Sequence, residues 1–140
     1  MKINQDYIKD LLCAFEDTEG PDTLLSELEA KGYNRDDSDF IFHMRLLADN
    51  KLIARVDGQS GFGYLIASQL RRYHYHWQET PLRLTAKGHD FLSDIRQQEV
   101  WAAIKTNFKE QGLGTLTSIA KSLAEAYAKK KVRDITGIDI

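Results

Sequence analysis

The chain holds one cysteine, Cys13, and two prolines, Pro21 and Pro81, among its 140 residues. A lone cysteine excludes an internal disulfide. Its neighbours Leu11, Leu12 and Phe15 suit a small buried hydrophobe better than a nucleophile. No apolar run approaches the roughly 20 residues that a membrane-spanning helix needs. Asp6, Lys9 and Asp10 interrupt the first apolar positions, where a signal sequence would need an unbroken stretch. These absences predict a cytoplasmic protein with no membrane partner. Internal repeats and low-complexity segments are missing too, as are a phosphate loop, a nucleophile elbow and a zinc-protease signature. A non-catalytic protein without a cofactor is therefore expected.

What is present is enough for one core. With 42% hydrophobic and 29% charged residues, the chain suits a single structural domain, read as residues 1–98 with a helical extension over 99–140 that packs on it or on a second subunit. The net charge of -2 hides an asymmetry. Residues 1–50 carry 5 Lys and Arg against 12 Asp and Glu, whereas residues 51–140 carry 14 against 9. Acidic surface repels phosphate and basic surface attracts it, so any nucleic-acid contact belongs to the second part. The same asymmetry would also let the two parts attract each other, or a second copy.

Periodicity supplies the elements. Asn4 can cap a helix whose apolar residues Tyr7, Ile8, Leu11, Leu12 and Phe15 recur at steps of three and four, stopping near Glu19. Leu24, Leu25 and Leu28 suit a short second helix, while Leu24, Ser26, Leu28 and Ala30 could also face one side of a strand; the helix is the reading taken. A third runs to about Asp49, with Asn34 or Asp36 as its cap and acidic residues in its first turn. LIARV, from Leu52, and the segment from Tyr64 read as two strands of a wing, joined by the glycine-rich DGQSGFG. Leu82–Leu84 forms a third strand, and Thr85 caps a helix through Ile95. Val100, Trp101, Ile104 and Phe108 mark a further helix, which Gly112 and Gly114 break from a last one carrying Leu116, Ile119, Leu123 and Tyr127. The predicted fold class is α+β, a winged helix-turn-helix with a C-terminal helical extension.

Two stretches carry resemblances. FHMRLLADNKLI resembles the passage from recognition-type helix to first wing strand in bacterial winged-helix regulators, and LRLTAKGHDFL resembles their return from the wing into a supporting or dimerising helix. In addition, Gly88–Leu92, Ile95, Arg96, Val100 and Trp101 resemble the signature of a family of small uncharacterised proteins found in bacteria and their prophages. The match runs from Tyr7 to about Phe108. It implies a winged-helix-like fold and a mobile-element setting, and it implies no catalytic residue.

The candidate surfaces follow. If Ile41, Met44 and Leu47 face the core, the third helix turns Asp39, Phe42, Arg45, Leu46 and Asp49 outward. Asp36, Asp37 and Asp39 at its N-terminus would meet phosphates with like charge, so it is poorly suited to reading a major groove. Phe42 and Leu46 instead suit a covering helix or partner. In LRRYHYHW, an extended chain would place Arg72, His74 and His76 on one side and Arg71, Tyr73, Tyr75 and Trp77 on the other. Either the basic side meets phosphates, or the aromatic side packs over the helices and leaves the basic side solvated. His74 and His76 supply at most two metal ligands, and no spacing obliges His43, His89 or Cys13 to complete a site. His89 and Asp90, adjacent on a helix, point about 100° apart and make no catalytic pair.

The expectation is a DNA-associated regulator of phage or prophage type. It would touch double-stranded DNA through Arg71, Arg72, His74, His76, Lys129, Lys130, Lys131 and Arg133. The alternative is a protein-interaction module without DNA binding that uses Phe42 and Leu46. A homodimer is expected with Ile119, Leu123 and Tyr127 at or near its interface.

Overall fold

The computed structural model describes residues 1–66 and 75–138. The fold is mixed α+β, with six helices and four short strands among the described residues. The chain divides into two compact units, Met1–Gly88 and His89–Ile140.

The first unit begins with α1, Gln5–Glu16, capped as expected by the Asn4 side chain, which accepts the Tyr7 N–H at 3.1 Å. Its stripe buries Ile8, Leu11, Leu12 and Phe15, and it ends three residues before the expected stop. Helix α2, Leu25–Ala30, exists as read. The Glu27 carboxylate accepts the Leu24 N–H at 3.1 Å and thereby satisfies one of its unpaired first-turn donors. Helix α3 spans Ser38–Asp49 and buries Phe40, Ile41, His43, Met44 and Leu47. Its cap is Asp37, not Asn34 or Asp36. The Asn34 side chain is spent one step earlier, accepting the Asp36 N–H at 2.8 Å in the turn that leads into the helix.

Strand β1, Ile53–Arg55, does not pair with the segment from Tyr64 as the sequence suggested. It pairs antiparallel with β4, Leu82–Leu84, with Ile53 opposite Leu84 and Arg55 opposite Leu82. Burial explains the choice, because Ile53, Leu82 and Leu84 are all core residues and meet on one ladder. Thr23, between α1 and α2, exchanges both backbone bonds with Leu82, at 2.7 and 2.9 Å. The order across this small sheet is therefore Thr23, β4, β1.

The chain between β1 and β4 contains its own antiparallel pair, β2 (Tyr64–Ile66) and β3 (Tyr75–Trp77), with Tyr64 opposite Trp77 and Leu65 opposite His76. Gly63 closes the base of this pair at φ 86°, and a Cβ there would collide with the Gln78 carbonyl oxygen. The Gly63 carbonyl in turn accepts the Gln78 N–H at 2.7 Å.

Helix α4, Ala86–Arg96, crosses the boundary between the units. Thr85 accepts the Gly88 N–H at 3.0 Å, as its expected capping role requires. Gly88 lies against the Leu52 carbonyl oxygen so closely that any Cβ would strike it. In the second unit, α5 (Gln98–Asn107) and α6 (Leu113–Thr136) pack together. They bury Val100 and Ile104 from α5 and Leu113, Leu116, Ala120 and Ala124 from α6. Gly112 is the N-cap of α6, but Gly114 lies inside its first turn rather than breaking it. Its carbonyl accepts the Thr117 and Ser118 hydroxyls at 2.7 and 3.4 Å. No helix among the described residues is long and apolar enough to cross a membrane.

Candidate nucleic-acid interface

The outer side of α3 is acidic where a DNA-reading helix would need donors. Asp36, Asp37 and Asp39 are exposed, and Asp37 is engaged in capping. Phe42 and Leu46 are half-buried, with Phe42 edge-on to His43 at 5.0 Å between ring centroids. Arg45, the helix's one outward cation, is exposed but held by β2. It donates to the Tyr64 hydroxyl at 3.0 Å and lies 5.1 Å from the centre of that ring. That contact joins α3 to the β2–β3 pair through a hydrogen bond and a cation–π interaction.

Strand β3 resolves part of the histidine strand. Trp77 is half-buried among Phe40, Phe62 and Tyr64, at ring distances of 6.0, 5.8 and 5.1 Å. His76 is exposed, and its cross-strand neighbour Leu65 is 51% exposed. The expected alternation therefore holds at these two positions: Trp77 serves packing and His76 turns to solvent. Arg71, Arg72, Tyr73 and His74 lie outside the described residues, as does the side chain of Tyr75.

On α6, Lys129, Lys130, Lys131 and Arg133 are exposed on the last three turns, while Ile119, Leu123 and Tyr127 are half-buried. His89 and Asp90 are both exposed near the start of α4.

His43 has a role that the sequence did not reveal. It is 1% exposed. Its Nδ1 lies 2.7 Å from the Asp39 carbonyl, and its Nε2 accepts the Asn4 N–H at 3.0 Å. These bonds fix a neutral ring with the proton on Nδ1. The ring stacks on Tyr7 at 4.3 Å, so a histidine considered as a metal ligand is instead a clamp between the starts of α1 and α3. The apolar run that encloses it, Phe40, Ile41, Met44 and Leu47, was the available signal.

Around this clamp lies an acidic, aromatic face. Tyr7 and Tyr33 meet edge-on at 5.6 Å. Burial, followed by the nearby Asp37 carboxylate, raises the Tyr7 hydroxyl well above the ordinary phenol range. Burial, followed by Asp10, pushes Tyr33 up to about 12. Asp39 also bears on Tyr7.

No solved structure matches the chain. An uncharacterized protein of Haemophilus influenzae is 28% identical over 127 residues, covering 89% of this chain and 93% of that protein. A family model described as "Hypothetical protein (DUF2513)" matches residues 2–114. By the extent of that match, the chain belongs to the DUF2513 family.

Proposed function

We propose that the chain is a winged-helix, DNA-associated regulator of phage or prophage type that is held to duplex phosphates by its wing and tail, without base readout by α3. The observation that carries the reading is the exchange of backbone bonds between Thr23 and Leu82. It sets an extended residue between α1 and α2 beside β4, with β1 on the other side of β4. Three helices, a sheet in that order and a long excursion between its last two strands are the parts of a winged helix. The excursion is the wing, and β2 and β3 stiffen it.

Phosphate contact is assigned to Arg71, Arg72, His74 and His76 in the wing and to Lys129, Lys130, Lys131 and Arg133 in the tail. Contacts of this kind position a protein on DNA without reading its sequence. The exposed aspartates at the start of α3 are the reason for withholding base readout from that helix.

The test is duplex binding as a function of salt. Each lost phosphate contact lowers the slope of log K against log salt by about one. Arg71→Ala/Arg72→Ala is expected to reduce the slope by about two and to weaken binding similarly on unrelated sequences. A double variant that binds like the wild type would remove the wing from the interface.

A second reading, a protein-interaction module without DNA binding, is favoured by the half-buried Phe42 and Leu46 beside that acidic helix start. The wild type separates the two, since duplex binding at low salt belongs to the first reading alone, and Phe42→Ala/Leu46→Ala should leave that binding unchanged.

A further inference from the structure

The 24 residues of α6 extend for about 36 Å at 1.5 Å per residue, yet the last fully buried residue is Ala124 and the last half-buried one Tyr127. Beyond that point Val132 is 39% and Ile135 73% exposed, and Ile138, just past the helix, is 61% exposed. At about 100° per residue, Ala128, Val132 and Ile135 share one side of the helix with Lys131 at its edge. Lys129, Lys130 and Arg133 project from the other side. The packed first half of α6 lets the helix propagate, and the apolar stripe exposed on its second half is the part that a partner would cover.

Nucleic acid does not suit that side, because phosphates gain nothing from isoleucine and valine. A cover must offer apolar surface together with negative charge for Lys131. The first unit of the same protein carries such a surface. Tyr7 and Tyr33 are half-buried and meet edge-on, and Asp10, Asp36, Asp37 and Asp39 stand exposed on the same helices and the loop between them.

We propose that the distal half of α6 in one copy docks, through Ala128, Lys131, Val132 and Ile135, on the acidic aromatic face formed by α1, Tyr33 and the start of α3 in a second copy. Two such contacts close a two-fold dimer. The interface lies further along α6 than Ile119, Leu123 and Tyr127. It takes Lys131 out of the phosphate contacts proposed for the tail, leaves Lys129, Lys130 and Arg133 facing outward, and does not rest on DNA binding. It also gives the aspartates of α3 a role that groove reading cannot.

Sedimentation equilibrium of the full chain over a concentration series, from about 50 to about 500 mM NaCl, tests the contact. The wild type should dimerise reversibly, and more weakly as salt rises. Ile135→Glu, Lys131→Glu and Asp10→Lys/Asp39→Lys should each raise the dimer dissociation constant by roughly tenfold or more. Asp37 is left intact because it caps α3. Combining Lys131→Glu with Asp10→Lys/Asp39→Lys should bring the constant back to within roughly threefold of wild type. All four positions are exposed, and far-UV circular dichroism verifies that each variant keeps its helices. A chain that stays monomeric throughout overturns the proposal. So does a dimer that Ile135→Glu breaks and Asp10→Lys/Asp39→Lys leaves untouched, which would mean that α6 pairs with α6.

Discussion

His43 shows how much one buried polar side chain can settle. Both ring nitrogens are used, one by the Asn4 N–H and the other by the Asp39 carbonyl, so its removal takes the acceptor from the Asn4 N–H and leaves a cavity beside Tyr7. His43→Ala is expected to cost about 3 kcal/mol, read as a lower urea midpoint at unchanged m-value. Asp94 acts in the opposite sense. Its carboxyl is raised above the usual range by burial first, then by Asp90 and Glu125, with Lys121 opposing. Because the folded chain holds this proton to higher pH than the unfolded chain does, ionisation of Asp94 weakens folding as pH rises through the carboxylate range. Asp94→Asn should therefore be more stable than wild type at neutral pH, by less than about 1 kcal/mol because solvent screens this half-buried group. The difference should vanish in acid, below the unfolded carboxylate range. Thermal melts at the two pH values check both halves of the expectation.

Among the elements, the helices were legible and the strand pairing was not. Helical spacing carries its own signal: Ile8, Leu11, Leu12 and Phe15 repeat on one face, and Asn4 stands where a cap belongs. Strands of three residues are too short to show alternation, so their partners are settled by tertiary packing. Ile53 found Leu84 because both belong to the core, although the glycine-rich turn after β1 suggested a nearer partner. The Thr23 bridge was illegible for the same reason, being one residue wide. On α3, the placement of Phe42 and Leu46 off the fully buried face was legible, as was the outward turn of His76 beside the inward Trp77. The clamp at His43 was not, because its partner Asn4 is 39 residues away. Thr23→Pro tests the sheet order directly. It removes the N–H that Leu82 accepts and leaves that carbonyl unpaired, for an expected loss of about 2 kcal/mol. A variant with an unchanged melting temperature would show that the bridge contributes nothing.

For the whole molecule, charge is the organising quantity. The first 50 residues carry most of the acid and the remainder most of the base, which separates a surface that repels phosphate from surfaces that attract it. The duplex contacts proposed for the wing and tail cations, and the docking of a second copy proposed for the acidic face, both follow from that division. The account's central claim, phosphate contact through wing and tail, is tested most directly by titrating unrelated labelled duplexes with the wild-type protein across a salt series. Binding should be nearly independent of sequence and should weaken linearly on logarithmic axes as salt rises. Absence of binding at low salt, at protein concentrations well above those typical of nonspecific DNA association, would contradict it.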